Sequence, residues 1–248
     1  MFNLNEGLLK YYYPDVTFDL NYPVPIMLAS IVTICLVGYM LGSLNSAVIV
    51  SRLVYRDDVR KHGSGNAGMT NMLRTFGGKA AGLTLLGDLL KTVISVFFAG
   101  ILFGFQYVGG VSISGFCYLA GVMAVLGHIF PVYYGFKGGK GVLVTSTMAL
   151  MLSPVIFGVL FIAFVIIVAL SRYVSLGSVI VAMLYPILLR GYFSMVFNVP
   201  YMPIFVTLSS ITLPIIIVLC HIENLKRIGN RTENKLSFGK KGDKSEDK

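Results

Sequence analysis

Six runs of apolar residues, at about 24–50, 80–106, 113–134, 142–170, 174–190 and 203–222, take up most of the chain. An α-helix rises 1.5 Å per residue, so about 20 apolar residues cross the hydrocarbon core of a bilayer. Lipid offers the backbone no hydrogen-bond partner, so each run must satisfy its own amides and carbonyls, which a helix does. Only 12% of the 248 residues are charged and 56% are apolar, with a mean hydropathy of +0.79. Soluble domains carry roughly 25% charged residues. The expectation is an all-α integral membrane protein with no room for a separate soluble domain.

Charge placement orients the spans. The 51–79 segment holds six Lys/Arg, the 221–248 segment eight and the first 22 residues one. Cytoplasmic loops are the ones enriched in Lys and Arg. This puts the 51–79 loop and the C-terminus in the cytoplasm and the N-terminus outside. Six spans would leave both ends on one side. The 142–170 run exceeds one span, and splitting it at Ser153–Pro154 gives seven transmembrane helices, although its first half, 142–152, is short for a crossing. Net charge +9 is then the signature of membrane orientation, and no nucleic-acid partner is expected.

The same reading divides the chain into a 1–22 N-terminal interfacial extension, a 23–225 transmembrane domain and a 226–248 basic cytoplasmic tail. The extension carries Glu6, Asp15 and Asp19 against Lys10, with tyrosines at 11–13. It lacks the basic n-region of a signal peptide. Cys35, Cys117 and Cys220 sit far apart inside apolar runs without metal-ligand spacing, so they read as small core residues and no metal is expected.

All the polar motifs fall on the cytoplasmic face. GSGNAGMTNMLR (63–74) combines Gly63, Gly65 and Gly68 with Ser64, Asn66, Thr70, Asn71 and Arg74. Glycines let a backbone approach an anion and turn successive amides toward it. A helix beginning near Thr70 adds its own affinity for anions. The GxGxxG spacing matches a dinucleotide fingerprint, and Asp88 lies 20 residues beyond Gly68. That fingerprint needs a preceding strand, whereas a membrane span precedes here. A second stretch, GFKGGKG (135–141), offers Lys137 and Lys140 among Gly138, Gly139 and Gly141, and follows His128 at a span end. It lacks the Ser/Thr of a Walker A loop. HIENLKR (221–227) places His221 and Asn224 on one helix face, while Glu223 and Arg227, four apart, have the spacing of a pair. Asp88 and Lys91 in GDLLK are three apart inside a span, which predicts a local ion pair near the cytoplasmic end, a proton relay being the alternative. Two cationic, glycine-rich loops on one face indicate chemistry on phosphorylated molecules at the membrane surface.

YMLGSLNSA, DVRKHGSGNAGMTNMLR, LLGDLLK, LGHIFPVYYGFKGGKG, RYVSLGS and HIENLKR occur in one order between about 37 and 238. In this the chain resembles the bacterial acyl-phosphate:glycerol-3-phosphate acyltransferase (PlsY) family. The resemblance implies a seven-helix enzyme of the bacterial cell membrane. It would move a fatty acyl group from acyl phosphate to the 1-hydroxyl of glycerol 3-phosphate, giving lysophosphatidic acid and phosphate, the first acylation of phospholipid synthesis. No cofactor is implied. The implied partners are the two substrates, the lipid bilayer and, transiently, the enzyme that makes acyl phosphate. Carried over by motif, Ser64, Arg74, Lys140, His221 and Asn224 are the expected catalytic set. Ser43, Gly63, Gly65, Asn66, Gly68, Thr70, Asn71, Lys137, Gly138, Gly139 and Gly141 are the expected substrate-binding positions. GSLNSA lacks the proline common near Asn45 in the family, and Met69 replaces a small residue.

The chain has neither a GxSxG elbow nor an HxxxxD pair, and an acyl phosphate is already activated, so direct attack without a covalent enzyme intermediate is expected. The alternative reading is an organic-phosphate transporter, which also needs basic, glycine-rich sites. Transporters usually carry inverted repeats and midplane sites, and neither is evident here.

Overall fold

The computed structural model describes residues 7–8, 24–108, 111–112, 114–197 and 202–236. The interfacial reading of 1–22 and that of the tail beyond 236 therefore fall outside the described residues, apart from 7–8. Nine helices run through the described residues in chain order: α1 (Val24–Ser43), α2 (Ser46–Tyr55), α3 (Met69–Phe76), α4 (Gly78–Phe103), α5 (Gly115–Ile129), α6 (Val142–Leu152), α7 (Pro154–Ser171), α8 (Val174–Phe197) and α9 (Ile204–Gly229). Single 3-10 turns at Val59–Lys61 and Val132–Tyr134 punctuate the two motif loops. A two-residue antiparallel ribbon, Tyr107–Val108 against Val111–Ser112, lies between α4 and α5. α8 runs to Phe197, seven residues beyond the apolar run that marks it in the sequence.

The first apolar run is bent. Asn45 ends α1 and caps α2, its Oδ1 accepting from Val48 N at 3.1 Å. An asparagine holds the extended cap conformation that an apolar residue does not stabilise. The 142–170 run breaks at Ser153–Pro154, as its proline requires. Ser153 N closes α6 on Ala149 O at 2.8 Å, and Pro154 opens α7, where its missing N–H is harmless. The two halves are unequal. By length and composition six stretches among the described residues suffice to cross a membrane, Val24–Tyr55 counting as one, and α6 is not among them. At 1.5 Å per residue its 11 residues reach roughly 16 Å, about half the hydrocarbon thickness.

Helix surfaces identify the solvent. Ile204, Leu208, Ile211, Ile215 and Leu219 form an exposed stripe along α9, and Leu83, Leu86, Leu90 and Ile94 another along α4. Water would make such stripes costly, whereas acyl chains match them. The inward faces carry the polar groups: Ser209, Ser210, His221 and Asn224 of α9, and Thr84, Asp88, Lys91, Thr92 and Ser95 of α4, are all buried.

Between helices, hydrocarbon supplies no hydrophobic drive, so close backbone approach must hold the bundle. α1 and α5 achieve it with glycine. A Cβ at Gly42 would meet Ala124 O at 2.2 Å, and one at Gly127 would meet Tyr39 O at 2.2 Å. The main core draws on α1 and on α4 through α9, with Phe103 stacked on Phe116 at 3.8 Å between centroids. A smaller cluster of Ala47, Val48, Val59, Ala67, Met72 and Ala80, flanked by stacked Tyr55 and Phe76, lies under the 56–77 segment. That segment is thus a folded cap with its own core.

Candidate active site

The 63–74 motif is built around Asn71. Its Oδ1 accepts from Ser64 N at 3.0 Å, and its Nδ2 donates to Val59 O at 3.1 Å and His62 O at 3.0 Å. Both amide hydrogens are therefore engaged by the loop itself, so Asn71 shapes the cradle from within and does not face a ligand. Gly63 and Gly65 take φ of +56° and +70°, which only glycine holds without strain. Gly68 caps α3 without any side-chain cap, so the amides at the start of that short helix stay open beside Thr70. Ser64 and Arg74 are exposed, and among the described residues Arg74 has no ion-pair partner.

A clamp that the sequence did not announce joins this loop to the next. Asp58 Oδ2 accepts from Arg60 Nη2 at 2.8 Å and Arg52 Nη2 at 2.9 Å. These hydrogen bonds, Arg60's foremost, hold the Asp58 carboxyl well below the usual carboxylate range despite partial burial. Arg60 Nη1 then reaches across to Tyr134 O at 2.9 Å and Lys137 O at 3.3 Å. A cleft of about 530 Å³ opens between the two loops, lined by Lys61, Gly65, Gly135, Lys137 and Gly138 among others.

In the 135–141 loop the expected donors are rearranged. Gly138 N bonds Ile129 O and Gly139 N bonds His128 O, each at 3.1 Å. These amides satisfy the carbonyls left open at the end of α5, so they do not form a phosphate nest. What the loop presents instead is the exposed Lys137, the Lys140 ammonium and the start of α6, capped by Gly141 at φ +77° without a side-chain bond. Ser43 is buried, with its Oγ accepting from Val132 N at 3.4 Å, so it braces the start of this loop from α1.

Lys140 turns toward α9. Its half-buried ammonium donates to Asn224 Oδ1. Asn224 Nδ2 in turn donates to Glu233 Oε1 at 2.5 Å, which also accepts from Ser175 Oγ at 2.9 Å, while Arg227 Nε bonds Glu233 Oε2 at 2.7 Å. The sequence spacing paired Glu223 with Arg227. Instead Glu223 pairs with Lys226 at 2.7 Å in solvent, and Arg227 takes Glu233. Nor is 226–236 a loose tail: α9 runs to Gly229, Arg231 turns the chain at φ +59°, and Leu236 N bonds Arg172 O at 2.8 Å. Lys235 lies over the Tyr173 ring at 5.6 Å. Nine residues past Asn224, no helical periodicity links Glu233 to the site, and only its acidity in a basic stretch set it apart.

His221 is buried one turn before Asn224. Its Nδ1 lies 2.7 Å from Ile217 O. A carbonyl only accepts, so Nδ1 carries the proton and the Nε2 lone pair is left as a base. The expected catalytic set therefore splits. Lys140, from the loop before α6, assembles with Asn224 and His221 of α9, whereas among the described residues no hydrogen bond or ion pair joins Ser64 or Arg74 to them. The arrangement supplies cations for a phosphate and a neutral imidazole for a proton.

Burial pulls the Lys140 ammonium below its ordinary pKa, Arg227 pulls it further, and Glu233 opposes both. Burial would push Glu233 itself up, but the hydrogen bonds from Asn224, Arg227 and Ser175 hold it low, so it is ionised at neutral pH. If protonated Lys140 is the working form, activity fades as pH rises through its depressed pKa. Glu233→Gln removes the opposing charge, so the alkaline limb of a kcat/KM–pH profile is expected to move to lower pH. An unmoved limb would separate Glu233 from Lys140. At neutral pH the variant is expected to lose about tenfold in kcat/KM, the worth of one charge-assisted hydrogen bond.

Residues 32–231 match the family model described as glycerol-3-phosphate acyltransferase. A glycerol-3-phosphate acyltransferase of Enterococcus faecalis is 42% identical over 214 residues, covering 84% of this chain and 93% of that protein. One from Syntrophomonas wolfei is 37% identical over 209 residues, covering 84% and 97%. The crystal structure of PlsY, an integral membrane glycerol 3-phosphate acyltransferase, in its glycerol 3-phosphate form superposes with a TM-score of 0.72 at 30% identity, covering 84% of this chain and 96% of that one. Its lysophosphatidic acid form superposes at 0.68.

Proposed function

The chain belongs to the glycerol-3-phosphate acyltransferase family, and from that membership we propose that it takes its acyl group from acyl phosphate and delivers it to the 1-hydroxyl of glycerol 3-phosphate. It is a multi-pass membrane acyltransferase of the EC 2.3.1 class that serves phospholipid synthesis, not a transporter. The observation that carries the reading is the Lys140–Asn224 pair one helical turn from a neutral His221 with Nε2 open.

The reaction needs little covalent help. The glycerol oxygen attacks the acyl carbonyl, a C–O bond to glycerol forms, the carbonyl–phosphate C–O bond breaks, and inorganic phosphate leaves with the bonding pair. The hydroxyl proton passes to His221 Nε2. Lys140 and the open start of α6 stabilise charge on the departing phosphate, and Arg74 with the 63–70 loop holds the acceptor's phosphate. An acyl chain lies against the apolar helix faces while both phosphates stay at the loops.

On the positive-inside count, α6 and α7 each traverse the bacterial cell membrane, giving seven crossings with the N-terminus outside and the loops and C-terminus in the cytoplasm. Local thinning of the bilayer accommodates the short α6.

Purified protein given labelled glycerol 3-phosphate and acyl phosphate is expected to yield lysophosphatidic acid. Product with acyl-CoA but none with acyl phosphate would overturn the donor. His221→Ala is expected to lower kcat by about 10²-fold or more, the usual share of a general base. A near-normal kcat with only a raised KM would assign proton removal elsewhere, the acceptor's own phosphate being the next candidate.

A further inference from the structure

Three ionisable side chains lie deeper than the site and take no part in the chemistry above. Asp88 and Lys91 of α4 and His128 of α5 are 1%, 4% and 4% exposed. The Lys91 ammonium sits 2.8 Å from Asp88 Oδ1 and donates to Leu44 O at 3.1 Å and to His128 Nδ1 at 2.9 Å. Leu44 O is the carbonyl left open where α1 gives way to α2, and non-helical backbone at membrane depth needs such a partner. An ammonium only donates, so Nδ1 of His128 is the acceptor and its ring proton is on Nε2.

The far edge of that ring faces the 135–141 loop. A Cβ at Gly139 would fall 2.1 Å from His128 Nε2, 2.8 Å from its Cε1 and 2.8 Å from Ala67 O. Ala67 O belongs to the 63–74 loop and accepts from Asn45 Nδ2 at 3.3 Å. Leu44 and Asn45 are consecutive. One bend therefore fixes the imidazole, through Lys91, and Ala67 O, through Asn45, and both crowd the place where a side chain at Gly139 would stand. Only a residue without a Cβ fits there unshifted, and the next residue is Lys140.

We propose that His128, anchored by the Asp88–Lys91 pair, is a positioning residue whose Nε2 edge sets the seat of Gly139 and hence where Lys140 presents its charge. The imidazole is a spacer between the buried bend and the loop. It keeps the two phosphate loops in fixed register. The inference rests on Lys140 as the phosphate-holding lysine. The packing on which it depends is testable without that role.

His128→Asn keeps an acceptor near the place of Nδ1 and deletes the edge that meets Gly139. KM for at least one of the two phosphate substrates is expected to rise about tenfold, with kcat within about threefold, since the reacting groups remain. Gly139→Ala in the parent is expected to cost about 100-fold in kcat/KM. In the His128→Asn background the same methyl enters vacated space, and the double variant is expected to regain at least tenfold over Gly139→Ala alone, short of full recovery because Ala67 O remains close. A residue that merely supports folding would give losses that multiply. The Asp88→Leu/Lys91→Met variant removes both charges together, avoiding an unpaired buried ion, and frees the ring to turn. Its KM is expected to rise as that of His128→Asn does. Unchanged KM values in both variants, or multiplying losses at 128 and 139, would overturn the proposal. Melting temperatures of the same four-member cycle read the packing directly. Coupling there, together with full activity of Lys140→Met, would leave the spacer standing and remove the lysine from the function.

Discussion

Lys140→Met is expected to lower kcat/KM by about 10³-fold while shifting the melting temperature by no more than a few degrees. Lys140 is a half-buried cation that no carboxylate among the described residues touches directly; its ammonium meets the amide oxygen of Asn224, and Glu233 is one residue further back. Such an ammonium is held near a carboxylate without being neutralised by one, so it stays available to an incoming phosphate. Charge that develops in a water-poor site is stabilised far more than in solution, and loss of one pre-aligned donor costs about 3–4 kcal/mol. Methionine keeps most of the unbranched stem, one atom shorter, and removes the charge together with its donors. Arginine is not expected to rescue, because a planar fork cannot replace a point charge packed against one amide oxygen. Initial rates of phosphate release against both substrates measure the loss, and a loss below tenfold would remove Lys140 from the transition state.

The largest effect on stability is expected at the α1–α5 seam. Gly127→Val sets a branched side chain where a single Cβ already lies 2.2 Å from Tyr39 O, 2.7 Å from Ser43 N and 2.9 Å from Gly42 C. All three obstacles are backbone, so no rotamer change relieves the clash. The helices must part, which costs about 3 kcal/mol or more, or roughly 10 °C in melting temperature for a chain of this size. Gly158→Val is the control, since a Cβ there meets nothing within 4 Å. Equal melting temperatures for the two variants would mean that the seam does not hold the bundle. The damage is expected to reach the site as well, because Ser43 and the Leu44–Asn45 bend follow directly from the glycine face of α1.

What the sequence made legible was local. Pro154 announced the α6–α7 break because a proline lacks the amide that a continuing helix needs. Asp88 and Lys91 announced their pair because three residues bring side chains onto one helix face. His221 and Asn224 shared a face for the same reason. The misses came from longer range. Arg227 had a partner at helical spacing in Glu223 but took Glu233, presented by a chain that turns back at Arg231. A carboxylate already receiving Asn224 and Ser175 is a better partner than one that must also hold itself out in water. Gly138 and Gly139 looked like free amides, because sequence shows that glycine can face an anion and not that α5 ends in carbonyls needing donors. Asn71 resembled a ligand contact for the same reason: an amide on a polar loop gives no sign of which way it points.

The residues that make the site run from Ser43 to Glu233, a separation of 190 positions (233 − 43), and they reach it from the first described helix and from the chain beyond the ninth. No contiguous fragment short of that length contains the whole site. During synthesis, helices emerge in order, so the lysine of the second loop must wait for α9 and its returning segment before Asn224 and Glu233 can hold it. Turnover by this enzyme is therefore a readout of finished assembly, and a half-inserted chain already carries both glycine-rich loops and the Arg60 clamp that joins them, but not the Asn224–Glu233 pair that holds Lys140.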